Sequence, residues 1–118
     1  MDLDKPLRIS GIDTISGLNR LGGKRERYES LLRKFAARHG GMMESIRATL
    51  SAGDFATAER DLHSLKGAAA TLGAEELAAA VARAEEAIKS DQTVDSALET
   101  VAEALGSVVA AIRTELPE

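Results

Sequence analysis

His63-Ser64-Leu65-Lys66-Gly67-Ala68-Ala69-Ala70-Thr71-Leu72-Gly73 is the segment of this chain whose residue types and spacing could do chemistry. A neutral imidazole nitrogen is a competent nucleophile near neutral pH, because the ordinary histidine pKa is about 6.5. If the segment is helical, Glu59, Lys66, Gly67 and Ala70 lie beside His63 at three-, four- or seven-residue spacing. Lys66 then offers a cation to incoming anionic oxygens, while Gly67 and Ala70 remove bulk next to the ring. A phosphoryl acceptor needs in-line positioning and charge neutralisation and little else, which this patch can supply. A mid-helix glycine costs stability, so access to His63 is a reason for Gly67.

Other candidates carry plainer readings. His39 falls on an apolar stripe beside Gly40-Gly41 and reads as a partly buried structural residue. Glu59 and His63 at i and i+4 form an ordinary helix-face pair, since two metal ligands without a third make a poor site. Lys24-Arg25-Glu26-Arg27 reads as a solvated helix start, and the alanine-rich stretch after Glu76 as close helix packing.

The elements that must position His63 are helices. Both prolines, Pro6 and Pro117, stand at the ends, and the interior is rich in Ala, Leu, Glu and Arg. Apolar positions recur every three or four residues in four stretches, which predicts four amphipathic helices. The first runs from Lys24 to Leu50 (Tyr28, Leu32, Phe35, His39, Met42, Ile46, Leu50), and the second from Asp54 to Leu72 with Phe55, Leu62, Leu65 and Leu72 inward. The third spans Glu75 to Lys89 on Leu77, Val81, Ala84 and Ile88; the fourth spans Val94 to Glu115 on Leu98, Val101, Leu105, Val108 and Ile112. His63 follows Leu62 by about 100° of helix rotation, which turns it toward the rim or solvent.

Punctuation separates the stripes. Asp54 after Ser51-Ala52-Gly53 suits a helix start, Gly73 a left-handed helix end, and Glu75-Glu76 the positive end of the next helix. Thr93 is the expected N-cap of the last helix. Ile12 to Leu21 predicts a short extra helix starting at Asp13 and stopped by Gly22-Gly23, with Ile12, Ile15, Leu18 and Leu21 capping one end. Gly40-Gly41 conflicts with an unbroken first helix, so packing overrides the glycines or the helix bends or breaks there. The expected fold is all-α: an antiparallel up-down four-helix bundle with a short N-terminal helix, one domain over residues 1–118 with its core at about 11–115.

Composition narrows the function. A net charge of −4 and only three aromatic residues argue against nucleic-acid binding. The absence of cysteine excludes disulfides and thiolate chemistry, and no apolar run could span a bilayer, so a cytoplasmic location is the default expectation. No nucleotide-binding loop is present, and two histidines without a nucleophile–base pair leave little from which to build a self-contained hydrolase.

His63-Ser64-Leu65-Lys66-Gly67 followed by Leu72-Gly73 resembles the signature of histidine-containing phosphotransfer domains of multistep two-component signalling. The likeness extends through Ile12-Asp13, Gly17-Leu18, Arg20-Leu21-Gly22-Gly23, Tyr28, Leu31-Leu32, Phe35 and Ala52-Gly53-Asp54, over roughly residues 11 to 113. It implies that His63 takes a phosphoryl group from a receiver-domain aspartyl phosphate and returns it to another receiver. It further implies that Lys66 assists electrostatically and Gly67 leaves room for docking; Glu59 and Ala70, placed beside His63 by helical spacing, are the candidate partner-binding residues. Partners would be response-regulator receivers and a sensor or hybrid histidine kinase. This chain would be a monomeric carrier without turnover and without its own cofactor, the Mg2+ residing on the receiver. Some family members place a glutamine on the neighbouring helix near the histidine; Ala78–Glu86 contains none, and Arg83 is the candidate substitute. Two other readings remain open: the phosphoacceptor domain of a larger histidine kinase, and an adaptor bundle in which His63 is incidental.

Overall fold

The computed structural model describes residues 7–90 and 94–117. Among them the chain forms six helices and no strand: α1 Thr14–Arg20, α2 Arg25–His39, α3 Met42–Ser51, α4 Phe55–Leu72, α5 Glu75–Lys89 and α6 Val94–Glu115. The expected all-α bundle is present. Helix α5 packs between α4 and α6, α3 lies along α4, and α2 closes the bundle against α6 and α4. The short connections between α3, α4 and α5 make each helix reverse on its predecessor.

The predicted starts and stops are mostly where the sequence puts them. Asp13 accepts from the Ser16 amide and Asp54 from the Thr57 amide, each satisfying a free donor at a helix start. Gly73 ends α4 with φ +93°, a left-handed conformation that a side chain resists. Its carbonyl accepts from the Asp13 amide at 2.8 Å, which pins the start of α1 to the end of α4. The Thr93 cap lies outside the described residues.

Two expectations need correction, and of the two alternatives at Gly40-Gly41 the structure shows the break. The first long helix is not continuous: it ends at His39 and resumes at Met42. Neither Gly40 nor Gly41 supplies a side-chain cap there, and the Arg113 guanidinium of α6 reaches the Ala36 carbonyl at 3.4 Å beside the break. Phe55 is not inward but 55% exposed, at the first turn of α4, where it borders an open cleft with Leu50, Val94 and Leu98. Ile15 is 74% exposed, so only Ile12, Leu18 and Leu21 of the expected cap pack against the core.

Most of the predicted stripes form the core, although Met42, Leu50, Ile88 and Val94 are only half-buried and Met43 is buried next to Met42. Leu32, Ile46, Leu62, Leu65, Leu77, Val81, Val101 and Ile112 are fully buried. Each such side chain contributes roughly 1.5–3 kcal/mol relative to exposure, so the rotation of α4 about its axis is firmly set.

Candidate functional site

With Leu62 and Leu65 locked in the core, His63 must point away from it, and its side chain is 74% exposed. Lys66, one turn on, is 34% exposed. At Gly67 an added Cβ would meet nothing within 4 Å, so the missing side chain leaves open space and relieves no internal clash. Ala70, also on this side of α4, is exposed, while Glu59 is half-buried. Glu59 makes no ion pair with His63; that role falls to a residue of α5.

Glu85 is the residue that the sequence reading missed. Its side chain is 11% exposed and lies between the two functional groups of α4. Oε2 is 3.6 Å from Nδ1 of His63, and Oε1 is 3.0 Å from Nζ of Lys66. The first distance is too long for a formed hydrogen bond but suits a charge contact. The second is an ion-pair distance whose alignment is poor, so buried Oε1 has no hydrogen-bond donor.

The signal for Glu85 was available. It follows Ala84 and stands four residues after Val81, both buried, which puts it at the edge of the α5 stripe that faces α4. Arg83, the expected substitute for a glutamine, is exposed and borders a cleft between α5 and α6 with Glu86, Ser96 and Thr100. It does not reach His63, because it precedes Glu85 by two residues, a rotation of about 200° around the helix.

Further cations border the carboxyl-terminal half of α4. Nη1 of Arg20 donates to the Ala70 carbonyl at 2.8 Å, a favourable place for a cation because helix C-terminal carbonyls carry negative partial charge. A cleft of 180 Å³ between α2 and α4 is floored by Leu31, Phe35, Ala68 and Leu72, and Lys34 and Arg38 stand at its rim. His39 also lines it; the ring is buried, 4.9 Å from that of Phe35, with Nδ1 3.4 Å from the Met42 sulfur. The plain structural reading of His39 holds.

The site is thus an exposed imidazole on a helical bundle, with a cation one turn away and an open surface beside it, and not an enclosed pocket. The family model of the Hpt domain matches residues 30–116, and the chain belongs to that family. Its members serve histidine phosphotransfer in two-component signalling, with receiver domains and histidine kinases as their partners. Comparison with curated proteins and with solved structures gave no match. Among the described residues no helix is long and apolar enough to cross a membrane.

Proposed function

We propose that this chain is a phosphorelay carrier in which Nε2 of His63 accepts a phosphoryl group from a receiver aspartyl phosphate and hands it to another receiver. The single observation that carries this reading is the orientation of His63: Nδ1 faces Glu85, and the largely exposed ring leaves its other nitrogen for a partner. In the forward step the Nε2 lone pair bonds to phosphorus, and the acyl P–O bond breaks with its electron pair leaving on the aspartate. The proton on Nδ1 stays, so the ring becomes a phosphorylated imidazolium. Lys66 lies close enough on α4 to neutralise phosphoryl oxygens, and Gly67 with Ala70 leaves room for the docking receiver. The apolar floor and basic rim of the α2–α4 cleft extend that surface. Glu59 borders it from the preceding turn.

Catalytic magnesium belongs to the receiver in this scheme, and the chain acts as a monomer without turnover of its own. Intact-mass spectrometry after mixing with phosphorylated receivers and Mg2+ tests the reading, with His63→Gln in parallel. An acid-labile, alkali-stable phosphoryl gain absent from the variant supports it. No gain from any receiver would move the assignment to direct phosphorylation by a kinase domain, and equal labelling of the variant would remove His63 from the chemistry.

A further inference from the structure

Arg33 of α2 and Arg113 of α6 both line an open cleft of 470 Å³ along the seam between the two helices. Its floor is apolar, with Ala36, Ile112 and Leu116 all buried, and no carboxylate lines it. In a chain of net charge −4, neither arginine has an ion pair among the described residues. Arg113 is held in place: its Nη2 lies 3.4 Å from the Ala36 carbonyl, and a Cβ on Gly40 would crowd that nitrogen at 3.3 Å. A guanidinium fixed in this way gives up little further freedom on meeting an anion, and its fork has N–H groups to spare. Arg33 is separate from the basic rim of the α2–α4 cleft, because it precedes Lys34 by one residue, about 100° of helix rotation.

We propose that this cleft is a second docking site, taking an acidic peptide segment of a partner protein whose carboxylates pair with Arg33 and Arg113 while an apolar side chain rests on Ile112 and Leu116. Charge decides the occupant. Two cations without a local counter-charge repel a basic segment, and the planar fork of arginine matches a carboxylate through two parallel hydrogen bonds. The apolar floor between them adds burial that a free inorganic anion could not use. The cleft shares no lining residue with His63, Lys66, Gly67 or the α2–α4 cleft. A protein tethered here therefore leaves the imidazole open, and the tether raises the effective concentration of any domain joined to the segment. The site stands independently of the phosphotransfer reading.

The test is a nitrogen-15 NMR titration of the intact chain with a short synthetic peptide of alternating glutamate and leucine, and with its lysine–leucine counterpart. The acidic peptide should shift the amides of Ala36, Ala37 and Ile112, leave those of His63 and Gly67 unmoved, and bind more weakly as salt is raised. Arg33→Glu should weaken it by on the order of tenfold. Ala37 is exposed, so Ala37→Glu keeps the circular-dichroism melt, places a carboxylate in the cleft, and should weaken the peptide similarly. Phosphoramidate, a small phosphoryl donor that needs no receiver, should label His63 with and without the peptide at rates within about twofold of each other. Labelling lost only when the peptide is present would merge the two sites and overturn the proposal, whereas no labelling in either case would count against the phosphotransfer reading alone. Shifts centred on Lys34 and Arg38, equal binding of the lysine peptide, no saturable shift, or binding unchanged in both variants would each overturn the assignment.

Discussion

The Tyr28 hydroxyl donates to the Leu72 carbonyl at 2.6 Å, tying the first turn of α2 to the last turn of the helix that presents His63. The ring is fully buried, and burial, with the nearby Asp13 carboxylate adding to it, pushes the phenol up to about 12, so it stays a donor at any ordinary pH. Gly17 of α1 lies against both partners: a Cβ there would land on the Leu72 carbonyl oxygen and on the Tyr28 ring. Tyr28→Phe should therefore cost about 1–3 kcal/mol, the penalty for stranding a buried acceptor. Gly17→Ala should cost about 1–3 kcal/mol by overpacking, because backbone cannot swing away as a side-chain tip can. Urea denaturation of the two variants checks both.

Gly67 separates stability from access. It sits inside α4 with open space where a side chain would be, so Gly67→Ala should stabilise the fold by about 0.5–1 kcal/mol. A long side chain at the same point, as in Gly67→Gln, should leave the melt close to that of Gly67→Ala and slow transfer from a receiver several-fold. Labelling by phosphoramidate should be much less affected, because a small donor needs no docking surface. Equal losses with both donors would place the effect in the chemistry of His63 and not in partner access.

The sequence made the helical stripes legible because Leu and Val at three- and four-residue spacing admit one buried face, and His63 inherits its exposure from Leu62 and Leu65. Capping was legible for a similar reason, since Asp13, Asp54 and Gly73 have few other uses at those places. The edge position of Glu85 on the α5 stripe was legible, but its contact with His63 and Lys66 arises from the crossing of α4 and α5, which helical periodicity does not give. Phe55 and Ile15 were misplaced because periodicity gives the face of a helix and not whether a neighbour extends far enough to cover it.

The paired glycines between α2 and α3 differ in what they permit. A Cβ on Gly40 would approach the Ala36 carbonyl oxygen to 2.7 Å and the Arg113 guanidinium to 3.3 Å, whereas one on Gly41 would meet nothing within 4 Å. Both residues have negative φ, so backbone strain does not enter the comparison. Gly40→Ala should thus lower stability by about 1–3 kcal/mol. Gly41→Ala should be neutral or stabilising by up to about 1 kcal/mol, through the loss of unfolded-state freedom. Paired thermal melts would reveal the asymmetry; equal effects would show that α6 does not pack on the break as described.

His39 gives the fold a dependence on pH in the mildly acidic range. Burial, and secondarily the neighbouring Arg38 charge, hold its imidazole below the ordinary histidine range, and a thioether sulfur offers poor compensation for a charged ring. The folded state therefore binds a proton less readily than the unfolded chain does. Between the ordinary value of about 6.5 and the depressed folded value, the unfolded state carries more protons, so stability rises with pH through that window. The contribution is complete above the ordinary histidine range and is lost as the pH falls through it toward the depressed folded value. His39→Gln removes the titrating group, and its urea midpoint should change less over that interval than the wild-type midpoint does. The comparison belongs in a His63→Gln background, where His39 is the one histidine left in the chain. A slope that persists when both histidines are replaced would assign the pH dependence to the carboxylates instead.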